Sequence, residues 1–195
     1  MILPLRWRSD SHAEAEQRLA EMSVSKRRLK IVSGGQSGVD RAALDAAIAI
    51  GFDYGGRCPR GGWAEDLTTP PGVLARYPAL KETPSPDPAQ RTRWNLRDSD
   101  ATLFLTGAAG MSVSSGTLLA REEGRRLGKP QLLVRLNELD RLDKALNWLL
   151  LSSGVQTLNV GGPRESEAPG IYEEAFQFLC ELFGALAHPE KQQWS

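Results

Sequence analysis

The chain has 195 residues, 41% of them hydrophobic, which is enough for one domain with a sizeable core. Its 24 basic and 24 acidic residues cancel, so no overall field draws the protein to nucleic acid or to an anionic membrane. Two distant cysteines, Cys58 and Cys180, argue against a disulfide scaffold and a zinc module. No apolar run approaches the ~20 residues of a membrane span. We therefore expect a cytoplasmic protein without a metal site, in which any anion site is local.

Residues 1–28 are predicted to form a helical extension. Ser11 and Glu14 have the spacing of a capping box. Apolar side chains then recur at helical spacing, at Ala15, Leu19 and Met22. Because such a stripe must be covered, we expect this helix to pack on a neighbour or a sister subunit, and the protein to be a homo-oligomer.

From residue 29 onward, short apolar runs alternate with helical patterns, as is typical of a parallel sheet covered by helices. The predicted strands are 30–33, 53–56, 101–106, 131–136 and 155–160, and the predicted helices are 39–50, 89–97, 115–127, 139–151 and 170–186. Residues 65–88 contain six prolines and are predicted to form a stiff loop that serves as a wall or lid of a site. The pattern predicts an α/β fold, a Rossmann-like three-layer sandwich with a mostly parallel sheet of about five strands. It spans residues 29–187 and is followed by a tail, 188–195.

The first predicted strand-to-helix turn is rich in glycine. Its candidate ligand-binding residues are Gly34, Gly35, Gln36, Ser37, Gly38 and Asp40. Glycines let the backbone approach a ligand, and the N–H groups at the start of the next helix favour an anion. The pattern is neither a dinucleotide fingerprint nor a P-loop, because the first two glycines are adjacent and no Gly-Lys-Ser/Thr follows. Asp40 could bind a hydroxyl, an amine or a metal ion beside the anion, or could simply stabilise the helix start.

Two further regions offer cations and helix N-termini at the same edge of the sheet. A dinucleotide site would have an acid after the second strand, but that place holds Arg57 and Arg60, which favour a phosphate or are solvated loop cations. The loop after residue 106 leads into a second glycine turn with candidate residues Ser115, Gly116 and Thr117. After the last strand, Arg164 could bind a phosphate or carboxylate, or pair with a neighbouring glutamate. Trp63 and Trp94 could stack on a flat heterocycle or belong to the core.

Many ordered sequence blocks resemble the molybdenum carrier family. The first is Ser-Gly-Gly-Gln-Ser-Gly-Val-Asp-Arg-Ala-Ala-Leu-Asp at residues 33–45. The others are at residues 58–61, 65–66, 82–84, 90–92, 94–95, 97–100, 115–117, 128–130 and 159–166. The resemblance covers about residues 29–186. The resemblance implies a Rossmann-like fold of the SLOG superfamily and a role in binding molybdenum cofactor, a pterin with a phosphate tail.

The SLOG superfamily also includes the LONELY GUY phosphoribohydrolases, which release cytokinin bases from nucleoside monophosphates. The resemblance to them places a phosphate-binding arginine at Arg91, eight residues before Ser99-Asp100. Their catalytic glutamate follows the glycine turn, where this chain has Leu119 and Ala120. Because cleavage of an N-glycosidic bond needs a carboxylate to stabilise the oxocarbenium ion or to position water, this departure favours binding over hydrolysis.

Three functional hypotheses follow. The first is a carrier that binds molybdenum cofactor as cargo, or another phosphate-bearing pterin or nucleotide. The alternative is an N-glycosidase acting on nucleoside monophosphates, in which Arg91 positions the phosphate and Asp40 or Glu65 supplies the carboxylate. The third is a regulatory or oligomerisation module whose Rossmann shell is vestigial.

Overall fold

The computed structural model describes residues 29–107, 115–152 and 154–188. It contains six parallel strands in the spatial order β3-β2-β1-β6-β4-β5. The strands are β1 (Lys30–Val32), β2 (Asp53–Cys58), β3 (Leu80–Glu82), β4 (Ala101–Thr106), β5 (Gln131–Arg135) and β6 (Thr157–Gly161). The helices are α1 (Val39–Ile50), α2 (Val73–Arg76), α3 (Pro88–Arg97), α4 (Ser115–Arg126), α5 (Arg141–Leu151) and α6 (Ile171–Ala187). The predicted N-terminal helix and the residues beyond 188 lie outside this description.

The predicted α/β sandwich is confirmed, with six strands instead of about five. The additional strand, β3, lies inside the segment that was predicted to be a proline-rich loop, as does the one-turn helix α2. β3 pairs with the end of β2 over only three positions, from Gly56↔Leu80 to Cys58↔Glu82. A strand that short, bounded by Pro78 and Pro84, does not give a two-residue alternation that sequence analysis can detect.

Helices cover both faces of the sheet. On one face α1, α5 and α6 bury the main core, and on the other α3 and α4 cover Phe104 and Leu133. α1 packs closely on α6 because the side chains between them are small and fully buried, namely Ala42, Ala43, Ala46 and Ala47. α1 ends, as predicted, at Gly51, which has a φ of 84° and donates its N–H to Ala47 O. In the described part of the chain, no helix is long and apolar enough to cross a membrane.

The last strand in sequence occupies the middle of the sheet. β6 lies between β1 and β4, and the Ser33 hydroxyl donates to Val160 O, 2.8 Å away and 127 residues further along the chain. From β1 the chain winds outward through β2 to β3, whereas β4 and β5 lie on the other side of β6. The connections therefore diverge next to β6, and ligands of open α/β sheets bind where connections diverge.

Candidate functional site

The loops that follow β1 and β6 lie directly against each other. Gly38 has a φ of 73°, and a Cβ built on it would be 2.5 Å from Pro163 O. The N–H of Val39, the first residue of α1, donates to the same oxygen at 3.2 Å. The predicted first and third loops therefore form one structure. The Val39 N–H, one of the donors expected to face an anion, is therefore already hydrogen-bonded within the protein.

A hydrogen-bonded clasp fixes these two loops to the segment before β3. Gln36 Oε1 accepts from the N–H groups of Ser37 (3.0 Å) and Glu65 (2.9 Å). The Glu65 carboxylate accepts the hydroxyl of Ser37 and that of Ser166, the latter at 2.5 Å. Glu65, predicted as a candidate catalytic carboxylate, is thus bonded to two serines on different loops, and its described contacts are structural.

The clasp should make stability depend on pH. Partial burial acts to raise the pKa of Glu65, but hydrogen bonds from Ser166 and Ser37 outweigh it and leave the pKa below its ordinary value. A lowered pKa stabilises the fold above the unfolded value of about 4.3, and that stabilisation is lost as pH falls through the folded value.

We expect Glu65→Gln to lose less stability than the wild type between about pH 6 and about pH 3, as measured by urea unfolding at a series of pH values. Glu123→Gln, on α4 and outside the clasp, is the matched control. The same acid-induced loss in Glu65→Gln and in the wild type would contradict this role. Asp66, whose pKa is also lowered, chiefly by its hydrogen bond from Arg41, should leave part of the acid sensitivity in place.

The centre of the site is a buried ion pair between α3 and α1. Arg91 Nη1 lies 2.7 Å from Asp40 Oδ2, and the two side chains are only 15% and 7% exposed. Gly34 makes the pair possible, because a Cβ on that residue would overlap the Arg91 guanidinium and lie 2.7 Å from Asp40 Oδ2. Arg91 Nε is buried and has no hydrogen-bond acceptor among the described residues.

This ion pair borders a cleft of about 230 Å³ at the carboxyl edge of β1, β4 and β6. Six of the predicted site residues line it: Gln36, Asp40, Arg91, Gly116, Thr117 and Arg164. The remaining lining residues were not predicted to bind a ligand: Pro88, Ala89, Thr92, Phe104, Leu119, Ala120, Gly162 and Glu167. Five of these lie within about one turn of a predicted residue on the same helix, so α3 and α4 drawn as helices could have revealed them: Pro88, Ala89, Thr92, Leu119 and Ala120. Phe104 resembles any other core residue of a buried strand.

The other predicted residues lie elsewhere. Arg57 stacks on Trp94 at 5.1 Å and lies 3.6 Å from Asp98, away from the cleft. Arg60 is exposed on the turn Arg60–Gly62 that follows β2. The carbonyl oxygen of Gly35 accepts hydrogen bonds from the Arg41 guanidinium. Ser115 begins α4, but its side chain lies outside the described residues.

Neither tryptophan borders the cleft. Trp94 lies between Arg57 and Arg97, whose guanidinium carbons are 5.1 Å and 5.0 Å from the ring centroid. Trp63 is covered by Arg164 at 5.9 Å. Cation–π contacts of this kind orient an arginine, so Trp63 supports the Arg164 side chain at the cleft rim.

A second, wider depression of about 590 Å³ lies on the far side of the clasp. Its two arginines are already paired, Arg41 with Asp66 at 2.8 Å and Arg76 with Asp45 at 3.0 Å. Four carboxylates line the same depression: Glu65, Asp66, Glu165 and Glu173. It is therefore poorly suited to an anion, and the cleft beside Arg91 is the better candidate.

Comparisons with known proteins agree with this geometry. Residues 31–183 match the model of the "Circularly permutated YpsA SLOG family", and the central position of β6 is what a circular permutation of an outward-winding sheet produces. A crystal structure from Syntrophus aciditrophicus SB, named "Putative molybdenum carrier protein", is 36% identical, with a TM-score of 0.67 over 79% of this chain and 93% of that one. A comparison with curated proteins gives no significant match. The family predicted from the sequence blocks is confirmed, and the chain belongs to the circularly permutated YpsA family of SLOG proteins.

Proposed function

We propose that this protein binds a small phosphate-bearing molecule with a flat heterocycle, a pterin of the molybdenum-cofactor type or a nucleotide, in the cleft beside Arg91. The observation that carries the proposal is the buried Arg91 guanidinium, which borders the cleft and retains an Nε–H without an acceptor among the described residues. Guanidinium groups bind phosphate through paired N–H donors. The similar protein from Syntrophus, named as a molybdenum carrier, supports a cargo of this kind.

Two further features favour an anion at the same place. Arg164 borders the cleft and is held by Trp63. The start of α4 contributes Gly116 and Thr117 to the lining, and the N-terminus of a helix favours a negative charge. The volume of about 230 Å³ lies below the range of about 300–1,000 Å³ for typical ligand pockets, which favours a mononucleotide or a pterin over a dinucleotide.

Binding is a better account of the cleft than N-glycoside hydrolysis. Asp40 pairs with Arg91, and Glu65 accepts hydrogen bonds from two serines. Glu167, the other carboxylate in the described lining, accepts the N–H of Arg164 at 3.0 Å. Where the hydrolases have a glutamate, Leu119 and Ala120 border the cleft. Each carboxylate in the described lining of the cleft already has a partner in the protein. None of them therefore resembles a catalytic acid or base.

Native mass spectrometry and thermal unfolding test this function. Freshly purified protein should carry a phosphate-bearing small molecule, and ligand-free protein at a ligand concentration about a hundred times Kd should gain about 2.7 kcal/mol, or roughly 5–10 °C in Tm. The panel should include purine nucleoside monophosphates, a phosphorylated pterin and orthophosphate. We expect no free base to be released from any nucleotide. A protein that carries no such molecule and shows no shift with any member of the panel would refute the proposal.

A further inference from the structure

The two carboxylate oxygens of Asp40 have different surroundings. Oδ2 accepts from Arg91 at 2.7 Å. Among the described residues, no donor forms a hydrogen bond with Oδ1. Asp40 lines the cleft while its side chain is only 7% exposed. The carboxylate of this cleft-lining residue therefore has one oxygen bonded to Arg91 and one without a donor among the described residues.

Gly161 leaves the space beside Oδ1 open. Gly161 is the last residue of β6 and precedes Gly162, which lines the cleft. A Cβ built on Gly161 would contact a single described atom within 4 Å, Asp40 Oδ1 at 3.5 Å. Any residue other than glycine would therefore place a methyl or larger group against this oxygen.

An ionised carboxylate only accepts hydrogen bonds, and a buried charge needs partners to offset its lost hydration. A phosphate at Oδ1 would be repelled, so the anionic end of a ligand must lie away from this oxygen, among Arg91, Arg164 and the start of α4. We propose that Asp40 Oδ1 and Gly161 form a subsite for the N–H donors of the heterocycle. This inference rests on the proposed function, because it assumes that a phosphate-bearing heterocycle occupies the cleft.

The chemistry of the subsite selects one kind of heterocycle. Guanine and pterins share a 2-amino-4-oxopyrimidine ring. Its amino group is next to a ring N–H, so both groups donate toward one acceptor. In adenine the amino group is next to a ring nitrogen that accepts, and that lone pair would face the carboxylate. A site built to hydrogen-bond a donor discriminates strongly against analogues that lack it.

Isothermal titration of the full chain with GMP, AMP and neopterin monophosphate tests the subsite. We expect the two 2-amino-4-oxo ligands to bind about tenfold more tightly than AMP, since a correctly paired base edge is favoured over the wrong one. Gly161→Ala should weaken GMP and neopterin monophosphate about tenfold and leave AMP nearly unchanged. The added methyl contacts Oδ1 at an ordinary distance, so this variant should fold and keep the Arg91–Asp40 pair.

Gly184→Ala is the matched control. Gly184 lies on α6, far along the chain from the cleft loops, and a Cβ there meets nothing within 4 Å, so affinity for all three ligands should be unchanged. Equal affinities for GMP and AMP, or a preference that Gly161→Ala does not reduce, would overturn the subsite and leave the proposed function standing. Binding of none of the three ligands would instead overturn the proposed function. The ratio of GMP to neopterin monophosphate affinity separates a nucleotide from a pterin as the source of the ring.

Discussion

Arg91→Ala should abolish binding of phosphate-bearing ligands and lower the free energy of unfolding by about 3–5 kcal/mol. The variant removes the guanidinium that borders the cleft, and it leaves the Asp40 carboxylate, 7% exposed, without its 2.7 Å partner. An unpaired buried charge costs far more than the ion pair itself contributes. Urea unfolding of ligand-free protein gives the stability, and titration with GMP and neopterin monophosphate gives the affinity.

Arg97→Ala is the control for this experiment. Arg97 ends the same helix, is 53% exposed and pairs with Asp98 at the surface, so its removal should change stability far less than removal of Arg91. The double variant Arg91→Met/Asp40→Asn should recover most of the lost stability, because neither charge remains, and should still fail to bind. If Arg91→Ala retained wild-type affinity, Arg91 would not be the phosphate ligand.

Gly38→Ala should destabilise the protein by about 2–6 kcal/mol, through two additive effects. A φ of 73° with a ψ of −133° lies outside the left-handed helical region and costs an L-residue roughly 1–3 kcal/mol. The new Cβ would also be 2.5 Å from Pro163 O and 2.8 Å from the Arg164 carbonyl carbon, and such overpacking costs about 1–3 kcal/mol. Because the clash moves the loop that carries Arg164, ligand affinity should fall as well.

Gly51→Ala separates the two effects. Gly51 also has a positive φ, 84°, but its ψ of 27° places it in the left-handed helical region and a Cβ there meets nothing within 4 Å. Only a conformational cost of roughly 1–2 kcal/mol is therefore expected. A Gly38→Ala variant that is no less stable than Gly51→Ala would show that the new Cβ meets no steric cost at the β6 loop. Both free energies follow from urea unfolding of the two variants beside the wild type.

Local patterns were sufficient to predict most of the sheet and its helices. The long periodic elements, such as α1 and α6, occur where helical spacing and end signals such as Gly51 placed them. β3 was missed because three residues give no period. The order of the strands was not predicted, since pairing of β6 between β1 and β4 depends on contacts far apart in sequence.

Most of the predicted residues that line the cleft lie in or directly after glycine-rich loops that follow strands. The prediction was poorer for arginines assigned to the site from their sequence position alone. Gln36, Asp40 and Thr117 line the cleft because the turns that carry them lie at one edge of the sheet. Arg57 was placed there because it ends the neighbouring strand. In the structure, Arg57 instead stacks on Trp94 and pairs with Asp98, away from the cleft. The pairing of Arg91 with Asp40, 51 residues apart, is a tertiary contact that no local pattern encodes.

The middle position of β6 also bears on when the sheet can form during synthesis. β1 and β4 have β6 as their shared neighbour, and this strand is made after all the others. Until residue 161 has left the ribosome, both strands keep an unpaired inner edge, and unpaired edges promote wrong pairing between chains. The nascent β1–β2 and β4–β5 units therefore have to remain apart until the final strand joins them, and the cleft, which lies at that junction, is completed in the same step.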